Sequence, residues 1–437
     1  MQAIGRVNVS KEAAKSEKQM TVVLIGILSA LLLGRALSNF FFYIFAAVSL
    51  VIIAFAPVKI CIPILYYLLP FAPMLKTDIG AMSFYTVLFF LVALRMLFHH
   101  QRIEKKFLVS LVVLIVYCFI FSGMDQLTTI ITIGGGLIML YSLRDTDVNV
   151  EHTIIAYSLG ICFSSLLVVF QSSLPIVEMF SNNMMLKLGE GNYATRFSGL
   201  QGNPNYYTLD IIIDLAAIVV MISSKRTSLA QIICFAALTV FGLMSVSKSF
   251  LLAWGVLVLF WLVSSAKRGV NNVIKFIFMA AIAVAVAFYF ARDSVDAYVQ
   301  RFVSDSTDTA TAASITTGRT DIWLEYIKEI FGNYKILFLG NGLNTMATIK
   351  KGAHNTYLEG IFTLGIVGMG LYIITIRRAI GKIITNKIMW IPVGMLLFRM
   401  LAIGTLVYDN LWFYLGLIVL LAGECRTQKK QIGFSRI

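Results

Sequence analysis

Histidine is scarce in this sequence of 437 residues, with four in all. His99 and His100 close one apolar run and His152 opens another. Only His354 stands where a long polar segment gives way to an apolar one, in Lys351-Gly352-Ala353-His354-Asn355-Thr356-Tyr357-Leu358-Glu359. An imidazole in a small polar cluster at such a boundary titrates near neutrality and can take a proton from a reacting hydroxyl. The bland reading is a structural or solvated histidine. Three cations stand at comparable boundaries. Arg319 lies in Gly318-Arg319-Thr320-Asp321-Ile322-Trp323, where Thr320 and Asp321 suit the start of a helix. Arg196 opens Arg196-Phe197-Ser198-Gly199-Leu200-Gln201-Gly202-Asn203-Pro204-Asn205, whose glycines and Asn-Pro pair predict a tight turn. Lys248, in Ser245-Val246-Ser247-Lys248-Ser249, is the one charge of a short hairpin. Each of these cations has a bland reading too, as a cap or a boundary marker.

Guanidinium groups meet phosphate oxygens bidentately and an ammonium supplies a point charge, so cations around one histidine suit a pyrophosphate-bearing substrate. Asp210 and Asp214 lie one helical turn apart in an apolar run, where lipid would penalise them, and are expected to face the protein interior and pair with an arginine. Arg399 and Asp409 form a second expected pair. Other chemistries lack their signals: there is no Walker-type glycine loop, no metal-spaced Cys/His cluster and no serine elbow. Gly134-Gly135-Gly136 and Gly365, Gly368 and Gly370 read as sites of close helix packing. The five cysteines suggest no disulfide framework, because four lie in apolar segments and Cys425 lies near the C-terminus.

The elements that must position these residues follow from composition. Hydrophobic residues make up 59% of the chain and charged residues 13%, with a mean hydropathy of +0.84. A soluble domain is about 25% charged, so lipid is the expected solvent for most of the surface. Apolar runs predict helices at 21–37, 39–57, 60–75, 79–98, 106–122, 126–143, 151–171, 206–223, 228–245, 249–264, 273–291, 355–376, 387–404 and 407–423. The run 60–75, with Pro63, Pro70 and Pro73, is the weakest and reads as kinked or re-entrant. The expectation is an all-α integral membrane protein of about 12–14 transmembrane helices.

Alternating these helices from a cytoplasmic N-terminus gathers most of the basic residues on one side. That bias accounts for most of the net charge of +14 and removes the need for a nucleic-acid partner. It predicts cytoplasmic tails at 1–20 and 424–437 around a polytopic domain, 21–423. The first run reads as an uncleaved span rather than a signal peptide. Two long outer segments, 172–205 and 292–353, interrupt the short connections. In the second, Ile322, Trp323, Tyr326, Ile327 and Ile330 predict an amphipathic helix lying at the interface, after a Ser/Thr/Ala/Asp-rich stretch at 304–317.

The turn from Arg196 to Asn205, the Ser-Val-Ser-Lys-Ser hairpin and Gly-Arg-Thr-Asp-Ile-Trp resemble the O-antigen ligase and polymerase superfamily. So do Phe338–Gly342, His354-Asn355 and Gly365-Ile366-Val367-Gly368. The likeness covers residues 190–375 by motif. Family members often carry Ser-Arg where this chain has Ser247-Lys248, which keeps the charge but not the bidentate fork. The resemblance implies a GT-C-like fold with short helices in the large extracytoplasmic loop. It implies an inverting glycosyltransferase of the bacterial inner membrane, with no metal or other cofactor. It would polymerise undecaprenyl-pyrophosphate-linked repeat units into O-antigen or capsular or exopolysaccharide.

In that scheme His354 activates the acceptor hydroxyl, and Arg196, Arg319 and Lys248 bind the departing pyrophosphate. Asn203, Asp210 and Asn355 support them. Donor and acceptor are both lipid-linked glycans, and a chain-length regulator and a flippase are the further partners implied. Two alternatives stay open: a ligase moving polymer onto lipid A core, and a lipid-glycan transporter. A transporter would place its charges near the midplane, often in matched repeats. The wording around Arg319 and His354 is closer to polymerases.

Overall fold

A computed structural model describes residues 2–78, 81–99, 103–181, 183–189, 192–224, 228–266, 319–343, 349, 351–381, 387–406 and 410–434, with scattered positions between 274 and 300. The expected span 273–291 and the stretch 304–317 lie wholly or mostly outside the described residues, as do His100 and Asp409. So do several basic residues of the predicted topology, Arg102, Lys225, Arg226, Lys267, Arg268 and Lys382.

The structure is about 83% helical. An apolar segment cannot leave backbone donors unpaired in lipid, and a helix satisfies them within itself. The helices are α1 (Gln2–Leu37), α2 (Phe40–Phe55), α3 (Val58–Leu68), α4 (Phe84–His99), α5 (Lys105–Ser122), α6 (Leu127–Leu143), α7 (Val150–Val169) and the short α8 (Pro175–Phe180). After a β-hairpin come α9 (Pro204–Ser224), α10 (Leu229–Met244) and α11 (Lys248–Ala266). The last group is α12 (Arg319–Gly332), α13 (Tyr334–Leu339), α14 (Thr356–Ile380), α15 (Trp390–Met400) and α16 (Asn410–Phe434). Among the described residues, six segments are long and apolar enough to cross a membrane: Lys15–Leu37, Lys105–Ser122, Met124–Leu143, Val150–Val169, Pro204–Ser224 and Thr356–Ile380.

Helix α9 is the axis of the bundle. Its apolar window is 94% buried, against 28% for the peripheral α5, and α7, α10, α11, α15 and α16 pack around it. A helix apolar on every side belongs at such a centre. Polar residues mark the ends. Asn149 accepts the His152 N–H at 3.0 Å, and Ser228 and Gln231 form a reciprocal capping box.

The segment 60–75 departs from its expectation. It is a short buried helix ending in one 3-10 turn, Leu69–Phe71, and every residue from Ile60 to Leu68 is buried against neighbours such as α7. Tyr66 donates to Phe413 O at 2.8 Å and ties this buried segment to α16. The segment 172–205 contains α8 and an antiparallel hairpin, β1 (Met184–Gly189) with β2 (Asn192–Arg196), pairing Met184 with Arg196. No alternation of apolar residues announced these strands.

The two glycine motifs around Gly340 and Gly365 are halves of one contact. Gly365 breaks α14 with φ +62°, and a Cβ there would stand 2.5 Å from Gly340 N. The carbonyls freed by the break are taken up: Phe362 O by Asn341 N at 2.8 Å, Thr363 O by Gly342 N at 2.9 Å and Leu364 O by the Tyr117 hydroxyl at 2.9 Å. Only glycine combines that φ with that approach.

Gly135 and Gly136 face the rings of Phe90 and Trp412, as expected for packing glycines. At the crossing of α3 and α7, a Cβ on Gly160 would stand 2.2 Å from Tyr67 O, whereas Gly26 has nothing within 4 Å. Gly160→Ala is therefore expected to destabilise the bundle by about 1–3 kcal/mol through overpacking. Gly26→Ala should leave the thermal unfolding midpoint in detergent unchanged or slightly raised.

Candidate functional site

The site is assembled from the polar segment before α14. Helix α12 buries Tyr326 and Ile330 and half-buries Ile322 and Trp323, while Ile327, expected on the same face, is exposed. Its inward side holds the chain leading to His354. The Trp323 indole donates to Ala353 O at 2.8 Å, and the Tyr326 hydroxyl to Lys351 O at 3.1 Å. The Tyr326 ring meets Phe362 edge-on at 5.1 Å, which ties α12 to α14.

His354 is half-buried and has φ +49°. Its N–H donates to Glu359 Oε1 at 3.2 Å, and the next residue, Asn355, caps α14 by accepting from Tyr357 N at 3.0 Å and Leu358 N at 3.2 Å. Asn355 is thus a structural support that fixes where α14 begins. Among the described residues, His354 and Val246 are the only non-glycine residues with positive φ. Val246 is β-branched and fully buried in the Ser245–Lys248 hairpin. Such conformations cost of order 1–3 kcal/mol each and persist only where the surroundings over-determine them. Both belong to the motifs that the sequence singles out.

Residues 401–406 act as a clamp built mainly from backbone carbonyls. Arg319 Nη1 donates to Ala402 O at 3.1 Å, Thr356 Oγ1 to Ile403 O at 2.6 Å, and the Tyr206 hydroxyl to Gly404 O at 2.7 Å. Gly404 lies against the Glu359 carboxylate so closely that a Cβ would stand 1.9 Å from Oε2. One turn therefore gathers α9, α12 and α14.

Arg399, at the end of α15, is the charged centre of this region. It is 0% exposed. Nη2 donates to Asn205 O at 2.7 Å and Thr208 Oγ1 at 2.8 Å, Nη1 donates to Ser249 Oγ, and Nε has no partner. Among the described residues neither Arg399 nor Arg319 pairs with a carboxylate. The two guanidinium groups are close enough to repel each other. The same neutral oxygens lead on to the other cations. Ser247 Oγ donates to Asn205 Oδ1 at 3.2 Å, and Arg196 Nε donates to Ser245 O at 3.2 Å in the same hairpin. Lys248 is half-buried as the first residue of α11.

Arg196, Lys248, Arg319 and His354 thus lie at one end of the bundle, linked through Arg399. Arg319 and His354 interact directly by charge, and Arg196 and Lys248 join through the hairpin. The expected arginine pairing of Asp210 is not what forms. Its carboxylate is buried and accepts from Tyr157 Oη at 3.0 Å, Asn410 Nδ2 at 2.9 Å, Gln201 Nε2 at 3.0 Å and Tyr414 Oη. Asp214 accepts from Ser158 Oγ at 2.6 Å. Neutral donors sit a turn further along each helix, while the arginines are occupied at its end. Asn203 shapes the turn before α9, accepting the Asn205 N–H at 2.9 Å.

Glu359, Tyr206 and the neutral-oxygen contacts of Arg399 are additions to the residues expected from sequence. Glu359 follows His354 within the same motif, and a charge inside an apolar run is itself a signal. The carbonyl clamp has no sequence signal.

An apolar groove of about 500 Å³ runs between α11 and α15, lined by Leu252, Ala253, Val256, Met395 and Phe398 among others. Its upper end lies one turn from the Ser249–Arg399 contact. The chain matches no protein-family model, no curated protein and no solved structure.

Burial lowers the His354 imidazole from its ordinary value, and the Arg319 charge lowers it further. Burial also lowers the Arg319 guanidinium. The imidazole is therefore neutral at pH 7 and able to accept a proton. Removing the neighbouring positive charge makes imidazolium easier to form. In Arg319→Gln the His354 titration, followed by ¹⁵N NMR, is expected to move to higher pH; a move to lower pH, or none, would contradict the coupling.

Proposed function

We propose that the chain is a polytopic, GT-C-like glycosyltransferase of the bacterial inner membrane, with cytoplasmic termini and its large loop 292–353 on the outside. It polymerises undecaprenyl-pyrophosphate-linked repeat units at the extracytoplasmic face. The observation that carries this reading is a sequence of environments. An apolar groove leads up to a guanidinium held by neutral oxygens, and a second guanidinium and a neutral imidazole follow. A polyprenyl tail, a pyrophosphate and a reacting sugar have that same order.

On this reading the acceptor hydroxyl gives its proton to His354 as its oxygen bonds to the anomeric carbon. The bond from that carbon to the pyrophosphate oxygen breaks, and the electron pair leaves with the lipid pyrophosphate. Attack from the face opposite the leaving group inverts the anomeric centre. Arg319 and Arg399, with Arg196 and Lys248 on the hairpin, stabilise the negative charge that grows on the leaving oxygen. The hydrogen bond from the His354 backbone N–H to Glu359 and the cap at Asn355 fix the main chain from which the imidazole projects.

Purified protein in liposomes, given lipid-linked repeat units, is expected to produce a ladder of longer glycans. His354→Ala should lower the rate by roughly 10²–10⁴, and Arg319→Ala by roughly 10²–10³. Undiminished product in both variants would remove the site assignment. In cells, loss of the protein should leave products of a single repeat; long polymer left on the carrier lipid would point to ligation instead.

A further inference from the structure

A second cavity lies on the other side of Tyr206 from His354. It encloses about 670 Å³, within the ~300–1,000 Å³ range of small-molecule sites. Its chemistry differs from that of the groove described above. Thr129, Thr132, Gln201, Asn203, Tyr206 and Asn410 line it, with Lys76 as its one cation among the described residues. Hydroxyls and amides in this density suit neither a lipid tail nor a phosphate. They match the alternating donors and acceptors of sugar hydroxyls.

Two further observations make the cavity a built site. The first is Asp210, a buried carboxylate beneath it. An ionised carboxylate only accepts hydrogen bonds, so it fixes which way its amide partners face. Gln201 and Asn410 both line the cavity and both direct NH₂ at Asp210. The amide oxygen of Asn410 is thereby turned away from the carboxylate and offered to the cavity as an acceptor. The second is the wall itself. The Tyr206 hydroxyl is anchored on Gly404 O at 2.7 Å, Gly404 packs against Glu359, and Glu359 holds the His354 N–H. The cavity wall is thereby tied to the main chain of the proton-accepting residue.

We infer that this cavity is a saccharide subsite that binds a short neutral oligosaccharide of the accepting glycan, with Asp210 as the positioning residue of its amides. The inference rests on the proposed glycan-transfer reading for which glycan is bound, but its binding test does not depend on turnover. The probe is the repeat-unit oligosaccharide released by mild acid from the host's own surface polysaccharide. It is titrated into the full chain in nanodiscs and followed by saturation-transfer NMR.

Wild type should bind. Thr129→Trp, which fills the cavity, should weaken binding at least tenfold. Asp210→Asn keeps the shape but lets the amides turn over, and should weaken it several-fold. His354→Ala should bind within twofold of wild type while losing transfer. In the liposome assay, Asp210→Asn should raise the KM for acceptor more than it lowers kcat.

No binding to wild type, or unchanged binding by Thr129→Trp that retains the wild-type unfolding midpoint, would overturn the subsite. If Thr129→Trp does not fold, the Asp210→Asn titration decides alone, and unchanged affinity overturns it. Binding without any elongation by wild type would defeat the glycosyltransferase reading and leave the subsite standing. Elongation with an unaltered acceptor KM in Asp210→Asn would do the reverse.

Discussion

A guanidinium buried in an apolar bundle and held by neutral oxygens is the constraint around which one end of this protein is organised. Moving an ion from water into protein costs several kcal/mol even after relaxation. Arg399 meets that cost with neutral oxygens, from Asn205, Thr208 and Ser249. Neutral acceptors solvate a charge without cancelling it. Arg35 is a useful contrast: it is also buried, yet its donors reach Asn39, Met74 O and Lys76 O and simply tie the end of α1 to the segment between α3 and α4. Arg399 instead has a second cation, Arg319, close enough to repel it.

That constraint explains the neighbouring irregularities. The turn after α15 must present its carbonyls to Arg319, Thr356 and Tyr206 together, which leaves room only for glycine at position 404. Val246 and His354 carry left-handed backbone where they bring the hairpin and the start of α14 toward the same cluster. The two acids of α9 are bound by other groups. Asp210 is fully engaged by Tyr157, Gln201, Asn410 and Tyr414, and so does not neutralise the arginines one turn away.

Much of the fold was legible in the sequence because hydropathy is a local property. The runs at 106–122, 126–143 and 206–223 match α5, α6 and α9 to within two residues at each end. The amphipathic helix from Arg319 was legible for the same reason, from spacing alone, although Ile327 faces outward. His354 and Arg319 stood out because charges are rare in such a chain. What stayed hidden was tertiary. The contact between Gly340 and Gly365 joins residues whose motifs look independent, and a clamp of backbone carbonyls has no residue type to announce it. The β1–β2 hairpin lacked an alternating pattern. The pairing of Asp210 with an arginine was a reasonable electrostatic expectation that four neutral donors displaced.

The clamp at 401–406 and the start of α16 have a consequence for how the protein is made. A chain enters the membrane from its N-terminus. Asp210 is then inserted long before Asn410 and Tyr414, and until they arrive it has only Tyr157 and Gln201 as partners. Arg319 likewise waits for Ala402. The end of the bundle that bears His354 is completed only after residues 402–414 have been made. A nascent chain cut short before residue 400 would hold a half-satisfied carboxylate in its central helix, which marks it for membrane proteolysis rather than leaving a folded but inactive remnant.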